Sequence, residues 1–248
     1  MGLPRVDTPV HEMTLTSNNQ KIKFRPFLVK EEKLLLMALE SKNEREMVLT
    51  MKQIIENCLL SDINVDTLPM FDVQHIFLQL RAKSVGEIVE VTLRHPNGKN
   101  KKEQECDGSE KIKIDISKIS PKSDNTHNVQ IKINDKIGLQ MKYPTMEIYN
   151  EMSNLYDIGS SENTIESIFD IIVNSIDYIY QDEEIFYARE HSKQEMHDFL
   201  NSLNSDQFEN VRNFFKTMPN LTYTHSFKCS KCNTEEELLL EGIEDFFS

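Results

Sequence analysis

Hydrophobic and polar positions alternate with a period of two at the N-terminal end of the chain and then change to a helical period. In HEMTLTSNNQKIKFRPFLV (11–29), apolar positions fall on one face on both sides of a Ser-Asn-Asn turn: Met13, Leu15, Ile22 and Phe24. This pattern predicts a β-hairpin. The next segment, KEEKLLLMALES (30–41), predicts a helix with acidic residues in its first turn, where the helix dipole favours them.

Two further helices are predicted before residue 85. One covers 43–59, and its apolar face includes Cys58 as a small buried residue. The other lies within 66–87, with Thr67 as the N-cap, Pro69 in the first turn and Gly86 at the end. Its buried positions are predicted to be Val73, Ile76, Phe77 and Leu80. His75 lies beside them and is expected to be hydrogen-bonded or exposed.

The rest of the chain changes period twice more. Four short alternating runs between 85 and 141 predict antiparallel strands. After Pro144 the pattern predicts helices, with one stripe formed by Ile165, Ile168, Phe169, Ile172, Ile176 and Ile179. Ser192 and Glu195 fit a capping box at the start of another helix.

These patterns predict an α+β protein with a mainly helical core, an antiparallel β region and a C-terminal β-hairpin that carries a CxxC turn. The expected regions are 1–84 (hairpin and helices), 85–141 (β region), 142–219 (helices) and 220–248 (CxxC hairpin and short tail). They are expected to form one compact unit or two interlocked subdomains.

Composition limits the classes of function. The chain has 248 residues and a net charge of -13, which disfavours a non-specific nucleic-acid binder. Its one basic cluster, RHPNGKNKK (94–102), is read as a solvated hairpin tip. We expect no membrane span and no signal peptide, so the simplest compartment is the cytoplasm.

The sequence contains no motif typical of a catalytic site. It lacks a glycine-rich phosphate loop, G-x-S-x-G, H-E-x-x-H and the kinase signatures. Acidic runs such as Asp182–Glu184 are read as solvated loop charge. We therefore expect that the protein is not an enzyme.

Cys229 and Cys232 form the one metal-binding spacing in the chain. Two thiolates of a C-x-x-C turn can bind one tetrahedral zinc ion. His225 is a poor third ligand, because strand residues four apart lie roughly 13 Å from each other. His95, at the turn of another predicted hairpin, and Cys106, about 10 Å down its returning strand, are weaker candidates.

Several readings of this cysteine pair remain open. It can be half of a structural zinc site, a reduced pair that tightens the turn, or a redox-sensitive dithiol. A thioredoxin-like catalytic role is disfavoured, because that motif lies at a strand-to-helix junction and this one lies between two strands.

Four segments carry a resemblance to a known family: FRPFLVKEEKLLLMALES, LPMFDVQHIFLQLRAKSVGE, MKYPTM and LNSLNSDQFENVRNFFKTMPNL. Together with the closing LEGIEDFF, they resemble the baseplate hub subunit family of T-even-like contractile-tailed bacteriophages. The resemblance implies a non-enzymatic protein of the tail baseplate hub, whose partners are other baseplate and tail hub proteins. It implies assembly in the host cytoplasm and a final place in the virion.

Three functions remain open from the sequence. The chain can be a hub component or assembly factor, a transient assembly chaperone for the hub or tape measure, or a zinc-ribbon-like nucleic-acid or regulatory module. Phe246 and Phe247 can pack on the core or dock on a partner protein, since chain termini fray unless they are held.

Overall fold

The computed structural model describes residues 6–41, 43–95, 99, 104–155 and 164–241. Phe246 and Phe247 therefore lie outside the described residues. The helices are α1 Val29–Ser41, α2 Glu44–Cys58, α3 Met70–Ser84, α4 Met146–Leu155, α5 Thr164–Asn174, α6 Lys193–Asn201 and α7 Ser205–Thr217. The strands are β1 His11–Thr14, β2 Lys21–Phe24, β3 Ile88–Arg94, β4 Ser109–Asp115, β5 Gln130–Lys132, β6 Ile137–Met141, β7 Ile176–Gln181, β8 Glu184–Tyr187, β9 Thr222–Lys228 and β10 Glu235–Glu241.

This mixture of helices and antiparallel strands confirms the predicted α+β class and the C-terminal hairpin. The chain divides into two compact units. The described residues within 1–63, 71–122 and 220–248 form unit 1, and those within 64–70 and 123–219 form unit 2.

The N-terminal hairpin of unit 1 forms as predicted. β1 and β2 pair antiparallel with Met13 opposite Ile22, and Leu15, Ile22 and Phe24 are buried. α1 packs against α2, whose buried face carries Met51, Ile54, Ile55 and Cys58. Burial raises the pKa of the Cys58 thiol to about 11, so this cysteine is a neutral core residue at pH 7.

Helix α3 is buried around most of its circumference. The four predicted core positions are buried, and Phe71, Leu78 and Ala82 on other faces are buried too. Two buried polar side chains on α3, Asp72 and Gln79, are hydrogen-bonded to neighbouring backbone. Asp72 accepts hydrogen bonds from the amides of Thr16 and Ser17, and Gln79 donates to the carbonyl of Ser117. The helix thus binds the segments around it through polar groups as well as apolar area.

Three expectations for this segment were wrong. Pro69 does not lie in the first turn of α3, because the helix begins at Met70 and Pro69 forms an isolated bridge with Thr145. Thr67 is not the N-cap of α3, because it ends a separate 3-10 helix, Val65–Thr67, that Asn64 caps. His75 is neither exposed nor fully hydrogen-bonded: it is buried, and its Nδ1 has no hydrogen-bond partner among the described residues. Burial lowers the pKa of His75, so its ring is held in the neutral form.

Two hairpins, β3–β4 and β9–β10, share a core in unit 1. β3 pairs with β4 from Ile88 opposite Asp115 to Arg94 opposite Ser109. The buried residues of this core come from both hairpins, from α3 and from the segment after β4: Leu78, Ala82, Leu93, Ile112, Ile114, Ile116, Ile119, Leu221 and Leu240. Packing in this core brings together segments more than 100 residues apart in sequence.

Unit 2 is built on a four-stranded antiparallel sheet in the order β5-β6-β7-β8. Its core combines residues of this sheet with α5, α6 and α7: Ile131, Ile133, Leu139, Met141, Ile172, Val173, Ile176, Met196, Leu200, Val211 and Phe214. Ser192–Glu195 forms the predicted capping box before α6. Asn204–Gln207 forms a second one before α7, which the sequence analysis did not identify.

The predicted helical stripe does not continue past residue 174. Ile176 and Ile179 belong to strand β7, because the chain leaves α5 at Asn174 and pairs with β6. The four runs between 85 and 141 also belong to two different sheets, since β3 pairs with β4 in one sheet and β5 and β6 belong to the four-stranded sheet. Periodicity predicts that a segment is a strand, but it does not specify the strand's partner.

Among the described residues, no helix has the combination of length and apolar character needed to cross a membrane.

A buried carboxylate gives unit 1 a testable pH dependence. Glu31 accepts hydrogen bonds from Arg25 at 3.0 Å and from the amide of Leu28 at 2.8 Å. Burial opposes its ionisation, but these bonds outweigh it and lower the pKa of Glu31 from 4.5. The carboxylate therefore contributes stability that is present above pH 4.5 and is lost as pH falls through the lowered pKa.

We expect Glu31→Gln to lower the free energy of unfolding at pH 7 by about 1–3 kcal/mol, because the charged acceptor of these bonds is lost. The difference in the free energy of unfolding between Glu31→Gln and wild type should become smaller as the pH falls below 4.5. Urea unfolding from pH 7 to pH 3 measures it. The matched control is Glu12→Gln, since Glu12 is exposed in its pair with Lys23. Glu12→Gln should change the free energy of unfolding by no more than about 0.5 kcal/mol. If the effect of Glu31→Gln is the same from pH 7 to pH 3, the ionised carboxylate of Glu31 is not the source of this stability.

Candidate metal centre

The first pair of candidate ligands lies just beyond the regular β3–β4 ladder, in the region that is called here the tip of this hairpin. His95 directly follows β3, which ends at Arg94, and Cys106 precedes β4, which begins at Ser109. An isolated bridge between Lys99 and Glu105 continues the pairing of the two arms beyond the regular ladder. Both side chains are buried, at 5% exposure for His95 and 8% for Cys106.

The second pair lies in the turn between β9 and β10. The Cys229 amide donates to the carbonyl of Thr234 at 3.0 Å, and the Asn233 amide donates to the carbonyl of Cys229 at 2.9 Å. Asn233 has a φ of 58°, the left-handed conformation that asparagine tolerates better than most residues. These bonds fold the CxxC segment into a tight turn.

The four side chains meet in unit 1 and form what is called here the His/Cys cluster. One ligand atom from each of His95, Cys106, Cys229 and Cys232 lies within 4.8 Å of all the others. The Sγ atoms of Cys106 and Cys229 are 3.9 Å apart, and Cys232 Sγ is 3.4 Å from Nε2 of His95. All four cysteines of the chain are free thiols. The cluster therefore has the composition and spacing to hold a metal ion.

The local electrostatics differ among these groups. The backbone amides of Cys232 and Lys231 lower the pKa of Cys229, because they stabilise its thiolate. At Cys106 the Gly108 amide also favours the thiolate, but burial and the neighbouring thiols outweigh it and raise the pKa. The hydrogen bond with Cys229 raises the pKa of His95. The surroundings thus favour the thiolate form more at Cys229 than at Cys106.

Gly108 allows the two hairpin tips to approach each other. A Cβ atom at this position would lie 2.5 Å from Cys229 Sγ and 3.2 Å from Cys106 Sγ. It would also lie 3.1 Å from Cβ of Lys231, which forms an ion pair with Asp107. Gly108 was not among the predicted site residues, although the Asp107-Gly108 dipeptide after Cys106 is a turn signal.

The structure brings Cys106 closer than the sequence suggested. The expected distance of about 10 Å assumed that Cys106 lies within the returning strand. β4 begins only at Ser109, so Cys106 lies in the irregular segment before the strand and can turn toward the CxxC loop. His225 is not in the cluster, and Cys58 lies in the α2 core.

A second polar cluster lies in unit 2, around the buried carboxylate of Asp170. Asp170 accepts hydrogen bonds from Lys193 at 2.7 Å and His197 at 2.8 Å. This places a charged contact between α5 and α6, which the sequence analysis did not predict because Asp170 lies within an apolar helical stripe. Its partners satisfy the buried charge, so the cluster is explained as a structural contact.

Fold and cluster together define an α+β protein in which two antiparallel hairpins present one histidine and three cysteines at their tips. The chain belongs to the family described as T4 bacteriophage base plate protein, which matches residues 8–248. No curated protein and no solved structure is significantly similar to it. The protein is thus a phage baseplate protein.

We expect Gly108→Ala to lower the free energy of unfolding by about 1–3 kcal/mol, because the added methyl group overpacks the space between the two hairpin tips. Thermal and urea unfolding measure the change. Ser109→Ala is the matched control, since Ser109 is the next residue and its side chain is exposed. Equal stability of Gly108→Ala and wild type would show that the tips do not approach as closely as described.

Proposed function

We propose that this chain is a component of the tail baseplate hub, or a factor that assembles the hub, and that it acts through protein–protein contacts without catalysis. The observation that carries the proposal is the family match over residues 8–248. The resemblance of its long segments to hub subunits supports the hub as the part of the baseplate concerned.

The surface of α1 supports a role in protein contacts. Val29, Leu36 and Met37 are each more than half exposed on this helix. Val29 and Leu36 are two helical turns apart, so they lie on the same face. Apolar side chains grouped on one surface are typical of areas that partner proteins cover.

Two versions of this function differ in how long the protein stays bound. A structural subunit remains in the particle at a fixed copy number. A transient chaperone binds an intermediate of the hub or the tape measure in the host cytoplasm and then leaves. The net charge of -13 keeps the free protein soluble and suits both versions.

A zinc-ribbon-like nucleic-acid or regulatory module is the alternative from another class. The His/Cys cluster between two hairpins favours it, because zinc ribbons use such ligand sets. The charge balance opposes nucleic-acid binding, since a net charge of -13 repels phosphate. Salt-dependent retention of DNA or RNA is the property that this alternative requires.

Quantitative mass spectrometry of purified particles and of tail assembly intermediates tests the proposal. We expect peptides of this chain at a fixed ratio to known hub proteins in one or both samples. Presence in mature particles identifies a subunit, and presence only in intermediates identifies a chaperone. Absence from both samples, while the protein is abundant in infected cells, contradicts the hub assignment.

Phe246 and Phe247 provide a second test. We propose that these residues bind a partner in the hub, because two adjacent aromatic side chains supply apolar area for a contact. Replacing both with Ala should reduce incorporation into hub intermediates while the melting temperature stays that of wild type. Replacing both with Leu is the matched control, since it keeps apolar side chains and should retain most of the incorporation. Full incorporation of the Ala variant excludes the contact.

A further inference from the structure

We propose that His95, Cys106, Cys229 and Cys232 bind one zinc ion per chain as a closed structural site. The ligand atoms are Nε2 of His95 and the three cysteine Sγ atoms. This inference goes beyond the role in the hub, because it concerns the chemistry that holds unit 1 together.

Two of the ligand separations match a tetrahedral zinc site. With Zn–S bonds of about 2.3 Å, two thiolates at tetrahedral corners lie about 3.8 Å apart. With a Zn–N bond of about 2.05 Å, the nitrogen and a sulfur lie about 3.6 Å apart. The Cys106–Cys229 and Cys232–His95 separations are 3.9 and 3.4 Å. Both separations are thus within about 0.2 Å of the expected values, and all four ligand atoms lie within 4.8 Å of one another.

The ligand types select zinc over the common hard cations. Thiolates bind soft or borderline metals, whereas Mg²⁺ and Ca²⁺ require oxygen ligands. Three cysteines with one histidine are among the usual ligand sets of structural zinc. Four protein ligands fill the tetrahedron and leave no position for a water molecule or a substrate. The site is therefore structural.

Groups around the ligands support the bound thiolates. The amide of Gly108 donates to Cys106 Sγ at 3.4 Å. Three thiolates and a neutral imidazole around Zn²⁺ give a net charge of about -1. Lys231 lies within the CxxC turn and supplies positive charge beside this complex, where it pairs with Asp107 of the opposite hairpin. The two tips are complementary in charge as well as in ligands.

The topology determines what the metal does. His95 and Cys106 belong to the β3–β4 hairpin, and Cys229 and Cys232 belong to the β9–β10 hairpin. Cys106 and Cys229 are 123 residues apart in the sequence. The two hairpins share an apolar core through residues such as Leu93 and Leu240. A zinc ion binds their tips together and closes the long loop between them, which stabilises the folded state against the open chain.

The direct test measures metal in the purified full-length protein. After expression in zinc-containing medium and dialysis, we expect one zinc ion per chain by elemental mass spectrometry. Replacement by Co²⁺ should give the visible spectrum of tetrahedral cobalt and a sulfur-to-cobalt charge-transfer band from three thiolates. Protein without zinc, or with octahedral cobalt, overturns the proposal. A disulfide among Cys106, Cys229 and Cys232 in protein kept under reducing conditions overturns it as well.

Matched variants locate the site. Cys229→Ser and His95→Ala should lose the zinc. Cys58→Ala and His225→Ala are the controls, since they remove the same residue types outside the cluster and should keep one zinc ion. Gly108→Ala should weaken zinc affinity by about 10–100-fold, because it displaces two ligand sulfurs without removing them. Equal zinc content in the ligand and control variants would contradict the assignment.

Stability gives a readout on the wild-type chain, which does not depend on whether variants fold. A zinc chelator should lower the melting temperature, and added zinc should restore it, because metal that binds only the folded state stabilises it. A melting temperature unaffected by chelator and by zinc excludes the structural role. These measurements use isolated protein, so a negative result would exclude the zinc site without contradicting the proposed place in the hub. Absence of the chain from the particle samples would likewise contradict the hub assignment without bearing on zinc binding.

Discussion

Burial of helix α3 is the constraint on which the rest of unit 1 depends. Apolar side chains on several faces of this helix are removed from water, so other segments must surround it. Polar side chains of α3 bind two of these surrounding segments. Asp72 binds the turn of the N-terminal hairpin, and Gln79 binds the segment after β4. Because a buried carboxylate or amide without partners is costly, these bonds fix the arrangement.

The hairpin tips extend the same organisation beyond the apolar core. Leu93 and Ile112 of β3–β4 pack with Leu221 and Leu240 around α3, and the strands then run outward to the His/Cys cluster. Apolar packing aligns the two hairpins. The His/Cys cluster then joins specific residues of one hairpin to specific residues of the other.

Much of the fold was predictable from local patterns. The N-terminal hairpin, α1, α2, the capping box at Ser192 and the CxxC hairpin follow from periodicity and turn chemistry within short windows. The errors occur where a non-local contact decides the outcome. Ile176 and Ile179 continue a helical spacing but form β7, because pairing with β6 satisfies their backbone in the sheet. His75 is buried without a partner for its Nδ1 because α3 is surrounded on most sides.

The sequence by itself determined the α+β class, most element positions, the family resemblance and the CxxC pair, since each depends on residues close together in the chain. Only the tertiary structure decided that His95 and Cys106 meet Cys229 and Cys232, because this meeting depends on how two distant hairpins share a core. Gly108 shows the same distinction. The sequence shows that position 108 is a glycine, but it does not show why. In the folded protein a Cβ atom at this position would lie 2.5 Å from Cys229 Sγ, so a larger residue does not fit.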